Sequence, residues 1–187
     1  SFIERYNFDL CNDLSNLLNR TVSMVNKYFN GQVPEYNGTP NEVDEEFEKF
    51  TIEQINKFDE KWNEYEIANS IQEIWNLISR TNKYIDETMP WSLAKEEKME
   101  ELKSSMYHLI ENLRKIAILI KPFMNDTADN ILRQIGINNE DLKNWDSLKG
   151  EYNKIENTKV IEKGEPIFMR LKLEEEIEYL KDAMKNN

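Results

Sequence analysis

Four stretches of this chain, residues 8–30, 41–65, 67–87 and 99–121, place apolar side chains every three or four positions and contain neither glycine nor proline. That spacing follows the 3.6-residue period of an α-helix, while a half-buried strand would alternate every two. A chain built this way has one economical solution, which is to pack its apolar stripes against one another as a helical bundle.

In 8–30, Leu10, Leu14, Leu17, Thr21, Met24, Val25 and Tyr28 fall within one arc of a helix, and Leu18, Val22 and Phe29 widen it. Asn16, Arg20 and Lys27 fall together on the far side, where packing does not call for them. Asn16 and Arg20 are one helical turn apart and share a patch of surface. Asn30 and Gly31 supply a stop.

In 41–65, capped at Asn41, a stripe of Val43, Phe47, Phe50, Phe58, Trp62 and Tyr65 is expected to be core and not a stacking platform. Glu45, Glu46 and Glu48 read as a solvated face. The stretch 67–87 carries Ile67, Ile71, Ile74, Ile78, Thr81 and Ile85 in register, with Trp75 beside them. Pro90 suits the first turn of a short helix over 90–95, and 96–100 reads as an acidic, flexible link.

The stretch 99–121 has a stripe of Leu102, Met106, Leu109, Leu113, Ile116 and Ile120, broadened by Ile118 and Leu119, and is expected to be the most buried helix. Pro122 ends it, and 123–135 supplies a fifth segment closed by Gly136. Beyond it, 137–165 is polar with a strand-like Lys-Val-Ile-Glu-Lys-Gly run. Residues 165–172 read as extended, and Leu173, Ile177, Leu180 and Met184 mark a last amphipathic helix. The expected fold is therefore all-α: an antiparallel bundle over 1–136, followed by a connector and terminal helix over 137–187.

The net charge of −12 opposes bulk binding to DNA or RNA. Its distribution leaves a local site open. Residues 41–66 hold ten acids and three bases, whereas 1–40 carry only −1 and 67–95 balance at zero. A single cysteine and a single histidine cannot assemble a zinc site of the usual kind. His108, in the most buried stretch, reads as structural. No glycine-rich phosphate loop and no nucleophile elbow is present. No apolar run is long enough to span a membrane and no signal peptide is visible, so a cytoplasmic, membrane-free setting is expected.

Three features exceed what a core needs: the Asn16/Arg20 pair, with Asn12 one turn earlier; Trp91, directly after a proline at a helix start; and the cations Arg80, Lys83 and Lys95 near that tryptophan in sequence. An unpaired RNA base requires a flat surface to stack on and groups that bond its edge. Trp91, Asn16 and Arg20 supply both if the first helix and the Pro90 turn lie side by side. The other reading is a protein–protein or scaffold module, in which Arg20 is ion-paired and Trp91 is buried.

The run FDLCNDLSNLLNRTVSMVNKYFNG resembles the first helix of the anticodon-binding domain of bacterial methionyl-tRNA synthetases. ISRTNKYIDETMPWSLAK is similar to the same family's helix and Pro-Trp turn, and EPIFMRLKLEEEIEYL to its segment after the bundle. The resemblance implies a class I synthetase domain that recognises the CAU anticodon of methionine and initiator tRNAs. It places the family's anticodon-reading asparagine and arginine on Asn16 and Arg20 and its stacking tryptophan on Trp91. Asn12, Lys27 and Arg170 are further candidates for tRNA contact. The family's two nucleotide-binding signatures and its zinc-binding cysteines are absent here and are expected upstream of Ser1. ATP and zinc are accordingly expected in a catalytic domain of the parent enzyme, against which the last helix would pack. The chain by itself is expected neither to bind a cofactor nor to aminoacylate.

Overall fold

The computed structural model describes residues 2–150, 152 and 154–167. Its described elements are six α-helices, α1 (Phe2–Phe29), α2 (Asp44–Asn63), α3 (Ile67–Thr88), α4 (Pro90–Lys95), α5 (Met99–Ile120) and α6 (Asn125–Gln134), and two 3-10 turns at Glu140–Leu142 and Trp145–Leu148. The all-α bundle inferred from periodicity is what forms. The expected terminal helix and Arg170 lie outside the described residues.

Helix α5 is the axis of the molecule and packs against each of the other five. Its apolar stripe explains only part of that position, because every residue from Ser104 to Ile120 is buried, charged ones included. The 3-10 turn at Trp145–Leu148 covers α5's polar side. Arg114 donates there to the Leu142 carbonyl at 2.8 Å, the Ser147 hydroxyl at 2.7 Å and the Ser147 carbonyl at 3.2 Å.

The helix ends follow local chemistry, with three departures from expectation. Helix α1 begins at Phe2, earlier than the apolar period requires. It closes with two successive left-handed residues, Asn30 and Gly31, and the Gly31 amide donates back to Val25 O at 3.1 Å. Helix α2 starts at Asp44, not Asn41. Asn41 donates its backbone and side-chain N–H groups to Asp44 Oδ2 at 3.0 and 3.1 Å, so the cap is reversed and the aspartate is the acceptor. Asp44 is fully buried, unlike its exposed neighbours Glu45 and Glu46, and the Tyr84 and Ser104 hydroxyls also donate to it. The 96–100 stretch is no loose link: Glu97 is left-handed, and the Lys98 amide returns to Leu93 O at 2.9 Å before α5 begins.

His108 is fully buried and structural, as expected. Its Nε2 lies 2.7 Å from Glu48 Oε2 and its Nδ1 2.7 Å from the Ser104 carbonyl. Glu48, read as solvated, is instead half-buried and also accepts from the Tyr36 hydroxyl at 2.9 Å.

The strand-like run near 160 forms one antiparallel bridge, Gln32 to Lys159. This segment is a strap. Val33 N donates to Thr158 O at 2.8 Å and Val160 N to Gly31 O at 2.9 Å, while Ile161 N reaches Gln134 O at 3.0 Å. The end of α1 is thereby tied to the end of α6. Gly136, at φ +83°, lies directly beneath the strap, and a Cβ there would run into the Lys159 carbonyl. Gly136→Ala should lose at least the roughly 1–2 kcal/mol of a left-handed alanine. Displacement of the strap should add to it, visible as a lowered urea midpoint and faster amide exchange at Val160 and Ile161.

Candidate nucleic-acid interface

The candidate site is built on the seam between α1 and α3, whose register is fixed by polar contacts. Trp75 Nε1 donates to Asp13 Oδ2 at 3.2 Å and Asn82 Nδ2 to Asp13 O at 3.1 Å. Two turns further along, Arg20 Nη2 meets Asp86 Oδ1 at 3.4 Å, with side chains 40% and 69% exposed. An ion pair so open to solvent is worth at most about 1 kcal/mol, so it orients the guanidinium without committing it.

The chain leaves α3 at Met89, a left-handed residue at φ 47° that ends one helix and precedes the next. A non-glycine residue pays for that conformation. In return the backbone turns sharply, and Pro90 sits at the first position of α4, where its missing N–H is no loss. Pro90 and Leu93 are buried and anchor the short helix against α5. Trp91 therefore projects outward and is 47% exposed. The choice between core and surface that spacing leaves open is decided for the surface.

Trp91 and Arg20, with Lys27, line a single surface pocket of about 400 Å³, completed by Asn19, Ser23, Met24 and Tyr28. No acidic side chain is among these residues, although acids outnumber bases by 36 to 24 in the sequence. Asn16 and Asn12 are exposed on the same helix, one and two turns before Arg20, outside the lining. Arg80 does not serve the site. Its guanidinium lies 5.2 Å from the Phe47 ring centroid and 2.6 Å from Glu87, facing α2. Lys83 and Lys95 are exposed but outside the lining.

Met24 and Tyr28 are pocket residues that the sequence pattern assigns to the core. Both are half-buried, because the arc of α1 they occupy faces the α4 turn, where Trp91 stands off and leaves a hollow. Nothing in the apolar period marks such a gap. Cys11 is also half-buried, and burial pushes its thiol up to about 11, so it is no nucleophile. Among the described residues no group of three or more His, Cys, Asp or Glu could hold a metal ion, and no described helix is long and apolar enough to cross a membrane.

An aromatic face and a guanidinium thus line one acid-free hollow on an all-α bundle. Residues 33–184 match the family described as the anticodon binding domain of methionyl tRNA ligase. The chain belongs to that family. The methionine–tRNA ligases of Listeria innocua and Bacillus subtilis are each 48% identical to it over all 187 residues. The chain spans 28% of the length of each. Methionyl-tRNA synthetase of Mycobacterium tuberculosis in its free state superposes with a TM-score of 0.76 at 25% identity, covering 87% of this chain and 32% of that one. A structure of the Mycobacterium tuberculosis enzyme in complex with methionyl-adenylate gives the same TM-score at 24% identity, covering 90% and 33%.

Proposed function

We propose that this domain reads the CAU anticodon of methionine and initiator tRNAs on behalf of a ligase that joins methionine to those tRNAs with ATP through methionyl-adenylate. In this reading an anticodon base stacks on Trp91, Arg20 leaves Asp86 to fork onto a base edge or phosphate, and Asn16 bonds the neighbouring edge. Asn12 and Arg170 are further candidates for tRNA contact. The observation that carries the reading is Trp91 itself, half-exposed on an acid-free pocket that also holds Arg20. A scaffold module accounts for Arg20's ion pair but has no need of an exposed tryptophan held by a strained turn.

The catalytic work belongs to another part of the parent enzyme, which is also the intramolecular partner. The described residues do not fit zinc, as Cys11 is the one thiol and His108 the one imidazole in the sequence, and His108 is committed to Ser104 and Glu48. Among the described residues no glycine-rich loop suited to ATP phosphates is present.

The test is binding of a fluorescent anticodon stem-loop. The CAU loop should bind in preference to one with a permuted anticodon, and Arg20→Ala should erase most of that preference. A bidentate arginine contact is worth about 1–3 kcal/mol of discrimination, which sets the expected loss at roughly 5- to 150-fold. Equal affinity of the unmodified protein for both loops would overturn the reading.

A further inference from the structure

Beyond Arg20 the pocket continues along α1 for two more turns, to Ser23, Met24, Lys27 and Tyr28. At 1.5 Å per residue, Lys27 stands about 10 Å further along the helix axis than Arg20. The two cations are therefore anchored two helical turns apart along the pocket. The two also differ in charge balance. Arg20 has the Asp86 carboxylate within ion-pair distance, whereas Lys27, which is exposed, has no carboxylate within ion-pair distance among the described residues. Its ammonium instead stands 5.7 Å from the centroid of the Tyr28 ring. A cation over an aromatic face is steered without being discharged.

From this we infer that the Lys27–Tyr28 end of the pocket is a backbone subsite, holding the phosphate of a nucleotide adjacent to the one on Trp91. The inference rests on the anticodon reading above and adds a division of labour within the pocket. Trp91 and Arg20 meet a base, and Lys27 supplies attraction that is blind to sequence. An ammonium is suited to that part, being a compact charge with freely turning donors, where the planar guanidinium fork suits an edge. Tyr28 is the positioning residue: its ring fixes where the ammonium stands, and with Met24 it forms the apolar wall under the ribose. The division also gives a strongly acidic chain a foothold on a polyanion, since this acid-free hollow lets one unneutralised cation act at close range despite the net charge of −12.

The experiment titrates the protein with the CAU stem-loop and with a permuted-anticodon stem-loop at several salt concentrations. Lys27→Ala should weaken both RNAs by the same factor, roughly threefold or more, and flatten the dependence of log affinity on log salt by about 0.7, one phosphate contact on a single strand. Lys27→Arg should restore both. Tyr28→Ala should give an intermediate loss that is also equal for the two RNAs, while Tyr28→Phe, which keeps the ring, should not. Circular dichroism verifies the fold of each variant. A Lys27→Ala loss confined to the CAU loop, or an unchanged salt slope, would overturn the inference while leaving the anticodon reading in place. Absence of any CAU preference in the unmodified protein would instead sink the anticodon reading, and with it the assignment built on it.

Discussion

Glu111→Ala should destabilise the bundle by about 3–5 kcal/mol, the cost of leaving a buried charge without its partner. The Glu111 carboxylate holds two cations at once. Arg114 donates to it through Nη2 at 2.6 Å and Nε at 3.2 Å, and Lys115 Nζ stands 3.3 Å from Oε1. Glu111 and Arg114 are fully buried and Lys115 is 1% exposed. The five N–H donors of Arg114 meet five acceptor contacts, two on Glu111, two on Ser147 and one on Leu142. Removing the carboxylate strands two of those donors and leaves Lys115, among the described residues, with the Tyr152 ring, 5.0 Å away, as compensation. Burial already holds the Lys115 ammonium below the usual lysine range, with Glu111 pulling the other way. Its loss therefore removes the main group that keeps the charge tolerable.

Glu111→Gln, which keeps an acceptor and loses the charge, should cost clearly less. Urea unfolding of the three proteins measures both, and an alanine variant within about 1 kcal/mol of the parent would show that the cluster is better solvated than its burial implies. The effect should spread to the connector, since the turn at Trp145–Leu148 is held to α5 through the same guanidinium.

That cluster marks where the sequence stops being informative. Apolar residues at helical spacing identify α1, α2, α3 and α5 and most of their inward faces, because a stripe is a local property; Tyr65, expected in the core stripe of α2, instead lies past its end, left-handed and 53% exposed. Glu111, Arg114 and Lys115 have the i, i+3 and i+4 spacing of an ordinary solvated salt-bridge face. What buries them is a turn more than thirty residues away, and no local period records it. Asp44 is a similar case: its acidic neighbours Glu45 and Glu46 are exposed, while the hydroxyls of Tyr84 and Ser104 make its burial possible. Burial keeps the Tyr84 hydroxyl well above its usual range, so it stays a donor to that carboxylate.

The candidate site divides in the same manner. Arg20 and Lys27 stand out because packing does not require them on α1, and Trp91 because a proline precedes it. Their meeting depends on α1 and α3 running side by side in one direction, with Asp13 bonded to Trp75 and Asn82. Arg80 shows the limit of arguing from nearness in the chain. It precedes Trp91 by three helical turns yet faces α2 and stacks over Phe47.

Trp91→Ala should weaken binding of the CAU stem-loop by about 1–3 kcal/mol, the worth of one base stacked on an aromatic ring. Stability should hardly change, because the anchors of α4 are Pro90 and Leu93 and the indole is 47% exposed. This separation of binding from folding is what distinguishes a stacking surface from a core residue. A buried tryptophan removed from a bundle would cost about 3–5 kcal/mol of stability. Phenylalanine at the same position should recover part of the affinity, since it offers a smaller face at the same place. The loss on alanine substitution should also be insensitive to salt, as stacking releases no counterions, in contrast to the substitution of Lys27. Measured together, the salt-independent loss at Trp91 and the salt-dependent loss at Lys27 would assign the two ends of the pocket to base and backbone. If Trp91→Ala binds the stem-loop as tightly as the parent, the exposed indole is not the platform, and the base must be sought on another face of α1.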